Sequence, residues 1–314
     1  MISEPKSIGD SPSETGGAIP GAPGARAYSL FRREPSPIPV LIAVPHAGRV
    51  YPPSLLEQMR DPAGAGLKLE DRYVDLLARV IARRTGAGLL LAHAPRAMID
   101  LNRAPEEMDW DMLADAREAA HDGLRTARRA RGGLGLVPRR LPGLGEIWKQ
   151  RITQADLDAR IDGIHAPYHA ALAGELSLLK ARWGAALLVD LHSMPPLGPK
   201  RGTHASADFV VGDRFGSSCD GALCAAAFGH FAAAGRRAAH NRPYAGGYGL
   251  DRHAAPARGF HGLQIEICRA AYLDERLCEP GAGFDSVAEL LTGLVRRLAS
   301  EFPGLGGALR QAAE

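Results

Sequence analysis

The sequence predicts an α/β fold built as a single domain, with a mostly parallel mixed sheet flanked by helices. From Pro39 onward, apolar strand-like runs alternate with helical runs, a pattern that favours a parallel sheet covered on both faces. Segment 187–193 (LLVDLHS) is an apolar strand that ends on an aspartate and a histidine, and segment 40–46 (VLIAVPH) also ends on a histidine. Because open α/β sheets place their sites at the carboxyl ends of strands, we expect the functional site there.

Composition narrows the class of protein. The 314 residues are 46% hydrophobic, which suits one large globular domain. The net charge is only +3 and the arginines are scattered, so no nucleic acid partner is expected. No run is long and apolar enough to cross a bilayer, and the N-terminus lacks the apolar core of a signal peptide. We therefore expect a cytoplasmic protein with no membrane partner, and its four cysteines, which form no Cys-x-x-Cys pair, to be reduced. The oligomeric state is left open.

The predicted organisation is a tail followed by one domain. Residues 1–36 are rich in Pro, Gly and Ser and lack a hydrophobic period, so we expect a flexible N-terminal tail. Residues 37–314 form the domain. Within it, residues 104–145 break the alternation with glycines and prolines, and such a long irregular insertion is typical of a lid or a site-building loop.

The elements of the domain follow from hydrophobic spacing. The run 40–46 is the first strand, and apolar residues at helical spacing predict a helix over 71–84. A second strand over 88–94 leads into a turn. After the insertion, the apolar faces and runs predict a helix over 153–183, strands over 187–193 and 208–212, an alanine-rich helix over 221–234, a strand over 262–269 and a closing helix over 284–302.

Histidines at the ends of two strands predict a metal site. His46 and His192 each follow an apolar run at a turn, where neutral imidazoles suit Zn²⁺. A carboxylate is the usual third protein ligand of a catalytic zinc. Asp71 is the first candidate, since it begins the helix that follows the first strand, and Asp75, one helical turn later, is the alternative.

A lone carboxylate in an apolar strand predicts the catalytic base. Glu266 lies in segment 263–267 (LQIEI), where burying a charge is costly unless the group is paired or used. Beside a metal-activated water, its pKa would be raised and it could act as general base and then general acid. An ion pair with Arg269 or with a neighbouring arginine is the structural alternative. Asp190 shares a strand face with His192 and could accept a hydrogen bond from that imidazole.

Polar residues after the second strand predict an anionic substrate. Arg96, Asn102 and Arg103 cluster around one turn, where a guanidinium can polarise a carbonyl oxygen or bind a carboxylate. Asp100 is expected to fix one of these arginines. Tyr248, in a glycine-rich loop, is expected to line the pocket.

These motifs, taken in chain order, resemble the N-formylglutamate amidohydrolases. The resemblance runs from about residue 38 to 300. The matching segments are Val44 to Gly48, Asp71 to Asp75, Arg96 to Arg103, Gly133 to Pro138, Pro167 to His169, Asp190 to Ser193, Val211 to Cys219, Asn241 to Tyr248 and Gln264 to Arg269.

The resemblance implies a zinc hydrolase related in fold to the zinc carboxypeptidases and aspartoacylase, the phosphorylase/hydrolase-like fold. It implies zinc on His46, Asp71 and His192, with Glu266 as general base. Arg96 would polarise the scissile carbonyl, and Asn102 with Arg103 would hold the substrate carboxylate. The implied substrate is a small N-acylated acidic amino acid, N-formyl-L-glutamate above all, and the implied products are L-glutamate and formate.

The chain also departs from related patterns. The acid after the first strand is not in the tight His-x-x-Glu spacing of the carboxypeptidases, so Asp71 and Asp75 both remain candidates. The helix near Asp71 lacks the Trp and His common in the deformylases of histidine degradation. The alternatives are another zinc deacylase or carboxypeptidase-like enzyme for N-blocked amino acids or peptides, or a relative that binds metal or ligand without catalysis.

Overall fold

An eight-stranded mixed sheet lies at the centre of the fold. The computed structural model describes residues 11–115, 132–199 and 206–302. The strands are β1 Glu14–Gly16, β2 Tyr28–Phe31, β3 Val40–Val44, β4 Gly88–Ala92, β5 Arg140–Leu141, β6 Gly145–Glu146, β7 Ala186–Met194, β8 Phe209–Gly212, β9 Ala238–His240 and β10 Phe260–Cys268. The α-helices are α1 Pro53–Gln58, α2 Pro62–Leu69, α3 Val74–Thr85, α4 Gln154–Arg160, α5 Ala166–Trp183, α6 Gly221–Ala233, α7 Tyr248–His253 and α8 Phe284–Ser300.

The strand order in the sheet is β1-β2-β4-β3-β7-β10-β8-β9, and β5 with β6 forms a separate hairpin. The four central strands, β4, β3, β7 and β10, run parallel to one another. The chain moves from β3 to β4 on one side and later adds β7 on the other. The gap between the ends of β3 and β7 is therefore the switch point where open sheets bind ligands. The predicted fold class is confirmed.

Helices cover both faces of the sheet because the central strands are apolar on both. In β7, Leu187, Val189 and Leu191 face the layer that contains α3, α6 and α8. Ala186 and Leu188 face the opposite layer with α5. The next residues on that second face are Asp190 and His192, so this face changes from apolar to polar at the carboxyl end of the strand.

The prediction of a flexible tail over residues 1–36 is wrong for the described part of that segment. Strand β2 pairs antiparallel with β4, and β1 pairs with β2, so the N-terminal arm extends the sheet by two strands. All four residues of β2 are buried. In the sequence, Tyr28–Phe31 is a short run between segments rich in Pro, Gly and Ser, so its local pattern only weakly indicates a strand. Residues 1–10 lie outside the described residues.

Two predicted segments are more divided than expected. The helix predicted over 153–183 consists of α4, a π-helical turn at Ile161–His165, and α5. In the insertion 104–145, the described residues form two 3₁₀ turns and the β5–β6 hairpin, while residues 116–131 lie outside the described part of the chain.

Across the described residues, the helices are too short or too polar to span a membrane. Cys219, Cys224, Cys268 and Cys278 carry free thiols in the structure.

Candidate metal and active site

Three buried side chains meet at the switch point between β3 and β7. His46 follows β3, and His192 lies near the end of β7. The chain leaves the site after His46 and returns at Asp71, whose backbone N–H donates to the His46 carbonyl at 2.9 Å. Asp75 points elsewhere, since its Oδ2 accepts a hydrogen bond of 2.9 Å from Arg49. The chain path thus places Asp71, and not the alternative Asp75, beside the histidines.

The ligand atoms of this group converge on one point. The Nδ1 atoms of His46 and His192 are 3.1 Å apart, and Asp71 Oδ2 lies 3.1 Å from His192 Nδ1 and 3.5 Å from His46 Nδ1. The outer nitrogens face other carboxylates. His46 Nε2 is 2.7 Å from Asp100 Oδ1, and His192 Nε2 is 3.1 Å from Asp190 Oδ2. A proton on each Nε2 atom would leave both Nδ1 lone pairs available to bind a cation, which would take the place of the hydrogen bonds that the two imidazoles donate to Asp71.

The geometry fits a tetrahedral metal ion. Zinc–nitrogen and zinc–oxygen bonds of about 2.0–2.1 Å place tetrahedral ligand atoms about 3.3 Å apart, close to the separations within this group. Burial alone would raise the pKa of Asp71, but hydrogen bonds to His192 and His46 hold it below its usual range, so the carboxylate stays ionised. These three residues can therefore hold a metal ion, and all three line the cavity described below.

Glu266 lies directly beside the group, because β10 pairs with β7 and places Glu266 opposite His192. Burial, assisted by the charge of Asp71, raises the pKa of Glu266 to about 8 against the opposing effects of His192 and Arg96. Its Oε1 accepts a hydrogen bond of 2.9 Å from Gln264 Nε2. Among the described residues Glu266 makes no salt bridge.

The alternative role for Glu266, an ion pair with Arg269, is not observed. The Arg269 guanidinium donates to the carbonyls of Leu67 and Glu70 at 2.9 and 2.6 Å, and to Ser193 Oγ at 3.2 Å. Ser193 Oγ in turn donates to Asp71 Oδ1 at 3.1 Å. Arg269 therefore holds the returning segment 67–71 in place, and Glu266 remains available to a ligand.

Asp100 connects the metal group to the predicted substrate residues. Besides His46, its carboxylate accepts hydrogen bonds from Arg96 Nε at 2.9 Å and from the Asn102 backbone N–H at 2.8 Å. Arg96 is thereby fixed at the cavity wall, as the sequence predicts for one of the arginines. Asn102 Nδ2 donates to Gln264 Oε1 at 3.1 Å, and Arg103 Nε donates to the carbonyl of Leu134 in the insertion at 3.0 Å.

A cavity of about 660 Å³ opens above this group. Seven of the predicted site residues line it: His46, Asp71, Arg96, Asn102, Arg103, His192 and Glu266. The insertion contributes Gly132, Leu134, Leu141 and Pro142 to its wall.

Tyr248 is the predicted site residue that the structure does not bring into the cavity. Its ring packs against His165 and His169, and its hydroxyl accepts a hydrogen bond of 2.6 Å from Arg252. Tyr248 is the first residue of α7, and this helix start turns the ring toward the helices behind the site. Tyr244, four residues earlier in the same glycine-rich loop, lines the cavity instead.

The sequence interpretation missed several roles within the site. Asp100 was expected to fix an arginine, but not to orient His46. Gln264 and Ser193, both in predicted strand segments, also belong to the site. Gln264 shares the strand face of Glu266, whereas Ser193 follows His192 on the other face of β7 and contacts Asp71 and Arg269. The position of Gln264, two residues before Glu266 in the same strand, is the sequence signal that identifies it.

A second group of polar side chains lies outside the cavity. His240 Nε2 is 3.0 Å from Asp213 Oδ1 and 3.5 Å from Cys224 Sγ. Asp213 Oδ1 already accepts hydrogen bonds from the Gly216 N–H at 3.0 Å and from Asn241 Nδ2 at 2.7 Å. These bonds account for the group as a link between β8, β9 and α6.

Three buried histidines lie behind the cavity and stay neutral. His253 Nε2 is 2.9 Å from His169 Nδ1, and the rings of His165 and His169 are 4.5 Å apart. Burial is the main cause that lowers the pKa of each, to about 4 for His253.

These pKa values predict that the fold loses stability in acid. In the unfolded chain His253 has an ordinary pKa near 6.5, whereas burial lowers its pKa in the folded protein to about 4. Between these two pH values the unfolded chain therefore binds a proton at His253 and the folded protein does not. The free energy of unfolding should therefore fall as the pH drops from about 6.5 to 4, with His253 contributing about 3 kcal/mol of that loss. Urea unfolding of the protein after metal removal with a chelator, repeated between pH 6.5 and 4, measures how steeply the free energy of unfolding depends on pH. His253→Asn should flatten it, and an unchanged slope would contradict the assignment.

The fold and the site together define a class: an α/β protein with a two-histidine, one-carboxylate group and an adjacent buried glutamate at the switch point of its sheet. This arrangement is typical of metal-dependent hydrolases.

Comparisons with known proteins agree with this class. Residues 38–273 match the family model of N-formylglutamate amidohydrolase. An N-formylglutamate deformylase of Pseudomonas aeruginosa is 29% identical over 272 residues, covering 83% of this chain and 91% of the relative. A deformylase of the same name from Pseudomonas putida is 30% identical over 239 residues, covering 76% and 83%. The crystal structure of an N-formylglutamate amidohydrolase from Ralstonia eutropha JMP134 superimposes with a TM-score of 0.78 at 30% identity, covering 88% of this chain and 98% of that one. A protein from Agrobacterium tumefaciens, with a TM-score of 0.63 at 17% identity, shares the fold.

The chain belongs to the N-formylglutamate amidohydrolase family.

Proposed function

We propose that the protein hydrolyses the amide bond of an N-acylated acidic amino acid. For N-formyl-L-glutamate, the substrate we favour, the products are L-glutamate and formate. The observation that carries the proposal is the convergence of His46 Nδ1, His192 Nδ1 and Asp71 Oδ2 on one point beside the buried carboxylate of Glu266, which makes no salt bridge with any described residue. The names of the relatives from Pseudomonas and Ralstonia support the choice of substrate.

Zinc is the metal we propose for this site. His46, Asp71 and His192 would hold it, and when bound it would lower the pKa of a water molecule and polarise the substrate carbonyl. Asp100 and Asp190 contribute by keeping protons on the outer nitrogens of the two histidines, so that both Nδ1 atoms stay available as ligands.

The protein's own groups would move the protons and orient the substrate. Glu266 takes a proton from the attacking water and delivers it to the leaving amine, a role for which a carboxyl of raised pKa is suited. Arg96, held by Asp100, donates to the carbonyl oxygen as negative charge develops on it. Asn102 and Arg103, both at the cavity wall, orient the substrate carboxylate.

The insertion would complete the site. Leu134 and Leu141 border the cavity. The hydrogen bond from Arg103 to the Leu134 carbonyl connects the insertion to the segment 96–103, which carries the predicted substrate residues. We assign residues 104–145 the role of a lid on a hydrolase domain that spans 37–314. The cavity, at about 660 Å³, also has room for larger N-acyl groups or short peptides, which supports a zinc deacylase or carboxypeptidase-like activity as the second candidate.

Formate release from N-formyl-L-glutamate by the purified protein tests the proposal. We expect release that stops with a chelator and returns with added Zn²⁺, and slower release of acetate from N-acetyl-L-glutamate. Stoichiometric metal without formate release would overturn the substrate and favour the second candidate. Absence of both metal and release would overturn the site.

A further inference from the structure

A row of side-chain donors holds the segment that carries the substrate residues. The carbonyls of residues 98, 101 and 103 belong to neither a helix nor a strand, and buried carbonyls need partners. Each accepts a hydrogen bond from the helical segment behind it. Arg160 Nη1 donates to the Met98 carbonyl at 2.9 Å. His169 Nε2 lies 3.0 Å from the Leu101 carbonyl, and His165 Nε2 lies 2.9 Å from the Arg103 carbonyl.

The π-helical turn explains how these three donors share one side of the helical segment. Residues five apart in an ideal α-helix point about 140° away from each other, which would separate Arg160 from His165. In the π-turn Ile161–His165, the backbone N–H of Ala166 bonds to the carbonyl of Ile161, five residues back, so the wider turn reduces that separation. His169 then follows four residues after His165, on the same side.

The tautomers of the histidines follow from their partners. His169 Nε2 must carry a proton to donate to Leu101, so its neutral ring leaves Nδ1 as an acceptor. His253 Nε2 donates to that atom at 2.9 Å. The ring of Tyr248 packs on His165 and His169, and its backbone N–H reaches the Asn102 carbonyl at 3.4 Å.

Residues 98–103, whose carbonyls accept these hydrogen bonds, form a short segment that is directly connected to the site. Asn102 touches both Gln264, beside Glu266, and the N–H of Gly249, at 3.1 and 3.0 Å. A shift of the Leu101 carbonyl would therefore move the adjacent Asn102 amide, and Arg103 after it, relative to the cavity.

We propose that His169, together with His165 and Arg160 on the face made by the π-turn, positions Asn102 and Arg103 to bind the substrate carboxylate. His253 supports His169 from behind. His169 does not line the cavity, so it is a positioning residue that acts through the turn. This inference rests on the proposed function for the identity of the bound group.

The experiment compares His169→Leu, His169→Gln and His230→Leu with the natural protein. Leucine removes the donor to Leu101, whereas the glutamine amide can still reach it. His230 is the matched control, since its Nε2 lies 2.8 Å from the Leu290 carbonyl between α6 and α8, away from the cavity. For N-formyl-L-glutamate we expect His169→Leu to raise KM about tenfold with a smaller change in kcat. His169→Gln should recover most of that loss, and His230→Leu should match the natural protein.

Hydrogen exchange of the amides in residues 98–103 gives a readout that needs no substrate. We expect faster exchange there in His169→Leu, and near-natural exchange in the other two variants. If the natural protein releases no formate, the proposed function fails, but faster exchange in His169→Leu alone still supports the positioning role. A folded His169→Leu with natural KM and natural exchange would overturn the inference, as would equal damage by leucine and glutamine. Should His169→Leu fail to fold, His253→Leu is measured in the same way, with the same expected direction.

Discussion

Glu266→Gln is expected to reduce kcat for N-formyl-L-glutamate by about 10³-fold or more, within the range for loss of a general acid–base group. Glutamine has nearly the same shape but can neither accept the proton of the attacking water nor deliver it to the leaving amine. Because Glu266 is not one of the three converging ligands, the variant should keep its bound metal. Steady-state kinetics with N-formyl-L-glutamate and metal analysis of the same preparation measure both effects.

Glu175→Gln is the matched control for this prediction. Glu175 is also a buried glutamate whose pKa is raised by burial, but it faces Arg32 and lies outside the cavity. The Glu175→Gln variant should therefore have the same kcat as the natural protein. Natural turnover in Glu266→Gln would remove Glu266 from the mechanism, and loss of metal together with turnover would make it a structural support of the metal group.

Asp71→Asn is expected to weaken metal binding at least about 100-fold and to abolish turnover, since loss of a residue that only supports a ligand already costs 10–100-fold. The amide is neutral, so the two imidazoles lose the negative charge that completes the group. Metal content after dialysis against a graded chelator, followed by the formate assay, measures the change.

Asp75→Asn is the control, because Asp75 is the other acid that the sequence offered. It loses only the hydrogen bond to Arg49 at the protein surface, a contact of less than about 1 kcal/mol. We expect natural metal content and natural turnover. The reverse outcome, metal loss in Asp75→Asn and retention in Asp71→Asn, would contradict the geometry of the site.

Much of the fold was predictable because its signals are local. The strands β3, β7 and β10 are short apolar runs, and the helices show apolar residues at helical spacing, so the elements and their alternation follow from neighbouring residues. The N-terminal arm was not predictable in this way. Strand β2 has only four residues, and it is a strand because the edge of β4 pairs with it.

Some residues of the candidate site were likewise identifiable from local sequence, and others were not. His46, His192 and Glu266 were identifiable because each is a polar residue at the end of, or within, an apolar strand. The π-turn was not identifiable, since the residues around Ile161–His165 continue an ordinary helical pattern and the turn's consequence shows only in contacts with residues 98–103.

By itself, the sequence determined the α/β class, the strands that end at the site, and the residue types available for metal binding and proton transfer, since these depend on neighbouring residues alone. The tertiary structure decided which of these residues meet. It brought Asp71 to His192 across 121 residues and Asp100 to His46 across 54, and it turned Tyr248 away from the cavity. Contacts over such separations depend on how the whole intervening chain folds. Hydrophobic spacing within a segment indicates the type of element and its buried face, but not which distant residues that element will contact.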